Sequence, residues 1–334
     1  MEDRFGHHIR YLRVSLTDRC NERCQYCMPH EEQDWLPRAE ILSYEEILRV
    51  IRIGADLGIS KIRITGGEPL TRRNVLWFFE QLSAVPGIDD IGISTNGTLL
   101  ARRDKDDRTT ARALQETGVR TVNVSLDTLD HKTYAEVTGR DILGEAIAGI
   151  DAAREAGFEK IKINTVLMRH RNEHELWDLI EFARERDLLL RFIELMPVST
   201  TEVLTEDNFL SSGEAKKIIE FRLGRLAPRP DVRTNGPSSY YEIPGSGQII
   251  GFIGAMSNLH FCETCNKLRL TCDGKLRPCL GSHLEFDMRE ILRDPDKTDR
   301  DIARFFLHVV ERKPEQHEFR ENYQPDRKMI AIGG

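Results

Sequence analysis

The chain has 334 residues, 40% of them hydrophobic and 31% charged, with 48 lysines and arginines against 55 aspartates and glutamates and a net charge of -7. That balance excludes a globally basic nucleic-acid binder, so any polyanion has to be held by a local cluster of cations. No apolar run approaches bilayer-spanning length and the charged first ten residues carry no signal region, so no membrane segment, a cytoplasmic location and reduced or metal-bound cysteines are expected.

From residue 11 to about 195, short β-branched runs alternate with amphipathic stretches. The apolar runs are 11–16, 62–64, 91–93, 122–124, 161–167 and 188–195; candidate helices fall at 43–57, 75–82, 109–117, 142–156 and 173–186. Gly58, Gly118 and Gly157 stand just past three of these helices, where C-caps belong. Six such βα units imply parallel strands with helical crossovers, too few to close an eight-stranded barrel. The expected fold is therefore α/β, an open partial (β/α)6 barrel of TIM type over residues 1–197, with chemistry at the C-terminal ends of its strands. Around residue 198 the pattern changes. Residues 199–208 are polar, 211–223 suit a helix, and 228–247 are rich in proline, glycine and serine, which marks the passage to a smaller α+β domain over 198–334.

Cys20, Cys24 and Cys27, spaced C-x3-C-x2-C, follow directly after the first strand. Three thiolates this close can cap one compact metal centre. An iron–sulfur cluster normally takes four cysteines, so three leave one iron open to another molecule, whereas zinc would lack its fourth ligand. After the second strand comes Thr65-Gly66-Gly67-Glu68-Pro69, in which two glycines allow close backbone approach and Glu68 can accept hydrogen bonds from a cation. Ser94-Thr95-Asn96-Gly97 and Ser125-Leu126-Asp127 supply polar groups after the third and fourth strands. Lys61 and Arg63, two apart, share one strand face, and Arg13, Lys162 and Arg191 lie on or beside three others. If these cations point inward they need an anionic partner, and a triphosphate would satisfy them. A second cysteine set, Cys262, Cys265, Cys272 and Cys279, has spacing that suits a zinc knuckle, with 274–276 as a turn between two short strands.

The first cysteine motif, with Tyr26 before its last cysteine, and the in-register Gly-Gly-Glu-Pro turn resemble radical S-adenosylmethionine (SAM) enzymes; over nearly the whole chain the likeness extends to the GTP 3',8-cyclase family of molybdenum cofactor biosynthesis. The resemblance implies two 4Fe–4S clusters, one on Cys20, Cys24 and Cys27 and one on Cys262, Cys265 and Cys279, leaving Cys272 a bystander. It implies SAM contacts at Tyr26, Gly67, Glu68, Ser125 and Met196. GTP contacts are implied at Arg13, Lys61, Arg63, Ser94, Lys162, Arg191, Lys267, Leu268 and Arg269. Ser94 stands where the family carries threonine, and Lys267 where it carries arginine, a change that keeps the charge and loses the planar fork. Gly333 and Gly334 match a tail that enters the barrel in that family. No residue is expected to act as a general acid or nucleophile, because the abstracting group comes from SAM. A flavodoxin-like electron donor, a downstream cyclic pyranopterin monophosphate synthase and a homodimer are family-level expectations. The rival readings are a peptide-modifying radical SAM enzyme and a zinc-binding, redox-sensing interaction protein.

Overall fold

The computed structural model describes residues 1–334 other than 29–33, 202, 233, 235, 322 and 334. Its first two-thirds alternate strand and helix: β1 (Tyr11–Ser15), α1 (Tyr44–Asp56), β2 (Lys61–Thr65), α2 (Val75–Ser83), β3 (Asp90–Thr95), α3 (Thr110–Glu116), β4 (Thr121–Ser125), α4 (His131–Thr138), α5 (Leu143–Ala156), β5 (Lys160–Leu167), α6 (Leu176–Glu185) and β6 (Leu189–Glu194). The remainder holds α7 (Ser212–Leu223), β7 (Ala227–Pro228), β8 (Ser239–Glu242), β9 (Ile249–Ile253), β10 (Lys267–Leu270), β11 (Lys275–Arg277), β12 (Phe286–Asp287), α8 (Met288–Arg293), α9 (Asp299–Glu311) and α10 (Met329–Ile332).

The expected helices form where their caps direct. Ser43 caps α1 in a capping box with Glu46, and Gly58, Gly118 and Gly157 have φ of 96°, 96° and 77°, the left-handed conformation that ends a helix cleanly at glycine. Two details differ from the sequence reading. Residues 173–175 form a 3-10 turn ahead of α6, and α4 is an additional helix, started by Asp130 accepting from the Thr133 amide.

β1 to β6 are parallel and adjacent in order, as six βα units require. The C-terminal strands do not build a separate sheet. β10 pairs parallel to β1 and β9 pairs parallel to β6, while β11–β12 and β8–β7 extend the two edges antiparallel. One open sheet results, with the C-terminal part supplying both flanks. Its helix α9 packs on the outside of α1, with Phe306 against Gly54 and Arg49 Nε 2.7 Å from Asp299. The apolar residues of β1–β6 and their helices form one continuous core with Phe306 and Val309. Among the described residues, no helix is long and apolar enough to cross a membrane.

Candidate active site

Parallel pairing decides where the two cysteine sets lie. Cys20, Cys24 and Cys27 follow the C-terminal end of β1, whereas Cys262 and Cys265 precede the N-terminal end of its parallel neighbour β10. Cys279 follows β11, which runs antiparallel to β10 and so finishes at that same lower end. The two sets therefore sit at opposite ends of the strands. Between them runs one cavity, reaching from Cys262, Cys265 and Cys279 to Ser125 and Met196.

At the upper rim, the Cys20–Cys27 loop is braced by backbone. The Arg23 and Gln25 amides donate to the Thr138 and Val137 carbonyls at the end of α4, and the Cys27 amide to Cys24 O. The glycines of the Gly-Gly-Glu-Pro turn are needed for chain crossing. A Cβ on Gly67 would lie 2.3 Å from Arg19 O, and the Gly67 and Glu68 amides donate to Thr17 O and Arg19 O. The turn thus clamps the segment that leads into the cysteines. Glu68, 1% exposed, accepts from the Leu70 and Asn96 amides and the Thr95 hydroxyl, and burial lifts its carboxyl to about 7. Tyr26 donates to Asp127 over 2.6 Å. Burial also raises Asp127 to about 6 and Glu22 to about 7, with Tyr134 donating to Glu22.

The three thiols of this loop perturb one another. Burial raises all three, Cys20 to about 12, and Cys24 is driven further by Glu22, Cys27 and Cys20. Such thiols become thiolates when a cation pulls off their protons. Among the described residues, no three His, Cys, Asp or Glu side chains are disposed for a single metal ion. A cluster in which each thiolate binds a different iron is what such a three-cysteine set would hold.

At the lower end, the same coupling separates Cys272 from the other three. Cys262, Cys265 and Cys279 line the cavity and interact with one another, whereas Cys272 is fully buried with its thiol directed to Ala331 O at 3.8 Å and Asp273 and Asp18 as its charged neighbours. Lys313, which sequence reasoning passed over, is 2% exposed; its ammonium donates to Cys265 Sγ at 3.4 Å and to the carbonyls of Pro278 and Lys267. Burial works upward on Cys265, but Lys313 and Lys267 outweigh it and lower the thiol.

The cavity wall is cationic. Arg13, Lys61, Arg63, Lys162, Arg191, Lys267 and Arg269 all line it, with Ser94, and no carboxylate is among its described lining residues. Several of these cations are already engaged. Arg63, 2% exposed, donates to Tyr11 OH, Ile93 O, Thr121 O and Thr121 Oγ1, and it has room only because residue 92 is glycine, where a Cβ would lie 2.4 Å from Nη1. Lys61 pairs with Asp90, Arg191 donates to Asn164 Oδ1, and Arg269 donates to Gly333 O at 2.7 Å. Lys162 makes no hydrogen bond or ion pair among the described residues; burial and then Arg191, Arg63 and Lys61 depress it to about 7. Burial works upward on the Tyr11 phenol, but Arg63, Arg13 and Lys61 together bring it down to about 7. Leu268 differs from its neighbours: it is fully buried in the core beside Leu12, as strand alternation between the cavity residues Lys267 and Arg269 requires.

The C-terminal segment closes the cavity. Met329, which lines it, packs with Val198, Ala255, Phe319 and Tyr323, and its amide donates to Ser199 Oγ, which in turn donates to Cys27 O. Gly333 has φ of 87°, and a Cβ there would lie 2.8 Å from Thr65 and 2.9 Å from Ser15, so the tail runs against the C-terminal ends of β1 and β2. Gly334 lies outside the described residues. Asn123 and Asn164, also on the wall, carried no signal in sequence beyond their place on strands.

Residues 14–183 match the radical SAM superfamily, and residues 188–319 match the molybdenum cofactor synthesis C family. The GTP 3',8-cyclase of Thermodesulfovibrio yellowstonii is 42% identical over 335 residues, and that of Pelotomaculum thermopropionicum is 43% identical over 334, each alignment covering the whole of both chains. Among solved structures, Streptococcus suis SuiB bound to S-adenosylmethionine has a TM-score of 0.60 at 15% identity, covering 98% of this chain and 78% of that one. The AdoMet-bound anSMEcpe structure also scores 0.60, at 16% identity, covering 94% and 80%. These two share the fold.

Proposed function

The chain belongs to the GTP 3',8-cyclase family of radical SAM enzymes, and we propose that it converts GTP to (8S)-3',8-cyclo-7,8-dihydroguanosine 5'-triphosphate, the first step of molybdenum cofactor biosynthesis. The observation that carries this reading is the wall of seven cations, with no carboxylate among its described lining residues, in the cavity that rises from Cys262, Cys265 and Cys279 to Ser125 and Met196. A triphosphate supplies the negative charge such a wall lacks. A peptide backbone does not, which disfavours a peptide-modifying enzyme despite the shared fold.

When bound on Cys20, Cys24 and Cys27, a reduced cluster supplies one-electron cleavage of SAM, the source of the hydrogen-abstracting group. The protein's part is to hold, orient and exclude water. Tyr26, Gly67, Glu68, Ser125 and Met196 are assigned to SAM at the upper rim. Lys162, Arg191, Lys61 and Arg63 are assigned to the triphosphate, with Ser94 and Arg13 beside the nucleoside. Cys262, Cys265 and Cys279 would hold a second cluster at the lower end, where the guanine edge is assigned, with Lys267 and Arg269 lining the cavity and Lys313 against Cys265. Leu268 contributes its backbone alone. Gly333, held by Arg269, and Gly334 are assigned to the tail that seals the cavity. A flavodoxin-like donor, a downstream cyclic pyranopterin monophosphate synthase and a homodimer complete the proposal.

Lys162 gives the cleanest test, because its removal breaks no hydrogen bond or ion pair among the described residues. Calorimetric titration of reconstituted protein with GTP, without oxygen, should show Lys162→Met weakening binding by roughly 10- to 100-fold. Equal affinity in the two proteins would remove the phosphate from this wall.

A further inference from the structure

The inward face of β4 reads Thr121, Asn123 and Ser125, alternating with Val122 and Val124, which are fully buried in the core. Two of these polar side chains have evident tasks. Thr121 Oγ1 accepts from Arg63 at 2.8 Å, and Ser125 stands exposed at the upper rim. Asn123, between them, has none. It is 7% exposed and lines the cavity, yet its Oδ1 is buried with no hydrogen-bond partner among the described residues. A buried amide oxygen left unpaired is costly, so its place is explained by a donor that arrives with a ligand.

The chemistry of that donor is constrained. Phosphate oxygens only accept, so an amide oxygen gains nothing from the triphosphate. GTP carries donors at the guanine edge and at the two ribose hydroxyls. Asn123 pairs in register with Ser94 on one side and Lys162 on the other, and lies two residues below Ser125 on the same strand face. It is therefore halfway along β4, between the rim at Ser125 and the lower strand ends near which Cys262 and Cys265 lie. With the guanine edge assigned to that lower end, the sugar is what remains at the level of Asn123.

We propose that Asn123 is a specificity-determining residue whose Oδ1 accepts a hydrogen bond from a ribose hydroxyl of GTP, so that this asparagine selects the ribonucleotide over a deoxyribonucleotide. The proposal rests on the reading of the cavity as the GTP site. A site built to bond a hydroxyl rejects the analogue that lacks it, because its own buried oxygen is then left unpaired.

The test compares GTP, 2'-deoxyGTP and 3'-deoxyGTP as ligands of the anaerobically reconstituted enzyme by calorimetry, in the natural protein, Asn123→Leu and Asn123→Ser. Iron content and melting temperature verify that each variant is loaded and folded. The natural protein is expected to prefer GTP over at least one deoxynucleotide by about tenfold or more. Asn123→Leu should lose about that factor toward GTP while holding the same deoxynucleotide within about threefold, so that the preference disappears; which deoxynucleotide behaves so names the hydroxyl. Asn123→Ser, smaller and less disruptive, should also lose the preference, because its hydroxyl is too short to reach. Preference unchanged in both variants, or equal weakening toward all three nucleotides, would overturn the assignment. No binding of GTP by the natural protein would overturn the substrate reading itself, a result distinct from bound GTP with an indifferent Asn123.

Discussion

Lys162 is held charged at a cost until an anion arrives. With the ammonium depressed to about 7 by burial and by Arg191, Arg63 and Lys61, a fraction of the nucleotide-free protein is uncharged there at neutral pH, and a triphosphate alongside would pull the group back toward its ordinary range. GTP binding then takes up a proton wherever free Lys162 has lost one. Affinity is therefore full below about pH 7 and falls as pH rises toward 9, where GTP itself has already lost its last phosphate proton. Calorimetry in buffers of different ionisation enthalpy should show proton uptake near pH 8 and a Kd that rises about tenfold or more from pH 7 to pH 9. Lys162→Met should flatten the slope. A flat profile in the natural protein would mean that Lys162 does not face the phosphates. Lys162 was legible in the sequence as a cation on a strand, like Arg191, but strand alternation gave a shared face only to Lys61 and Arg63. What the sequence could not show is that Arg63 is already satisfied by Tyr11, Ile93 and Thr121, or that Gly92 makes room for it. Those are contacts between residues far apart in the chain. Lys313 escaped for the same reason, being a lysine well beyond the last cysteine until the fold brings it to Cys265.

At the level of elements, the Gly-Gly-Glu-Pro turn and the cysteine loop form one unit. Gly66, with φ of 157°, and Gly67 let the turn lie against residues 17–19, so the glycines serve the protein's own backbone before any ligand. A methyl group on Gly67 would meet backbone atoms of Arg19 that have no side-chain freedom to give way. Gly67→Ala is expected to displace the loop and to lose about half of the iron taken up on reconstitution, the share of the first cluster, while far-UV circular dichroism stays near that of the natural protein. Full iron retention would show that the loop tolerates the shift. The paired motifs made this region readable from spacing, because both follow directly from their strands. β9 and β10 were harder. β8, which borders β9, lies in the stretch rich in proline, glycine and serine, and β10 is four residues with two cations, which no apolar-run criterion finds; its one signal is the turn read at 274–276 between two short strands, and β11 in fact starts at Lys275. α9 was legible in principle, since Ile302, Phe306, Val309 and Val310 fall at helical spacing and bury one face.

For the whole molecule, the consequence of the topology is a sheet whose two flanks come from the C-terminal part, through β10 beside β1 and β9 beside β6. The change in composition near residue 198 reads as a boundary in sequence, yet the strands beyond it return to both edges of the six-stranded core. This return sets Cys262, Cys265 and Cys279 at the foot of the strands whose tops lead into Cys20, Cys24 and Cys27, and so makes one cavity that runs from the lower thiols up to Ser125 and Met196. Local pattern could not disclose the pairing of β10 with β1, because it joins residues about 250 apart in the chain and depends on contacts of the longest range. The most direct measurement follows from that arrangement. Protein reconstituted with iron and sulfide without oxygen is assayed for metal content, then given dithionite, SAM and GTP, and the products are followed by mass spectrometry. About eight irons per chain, with 5'-deoxyadenosine formed only when GTP is present and matched by a cyclised nucleotide of unchanged mass, is the predicted result. About four irons with one zinc, or SAM cleavage indifferent to GTP with no nucleotide product, would contradict it.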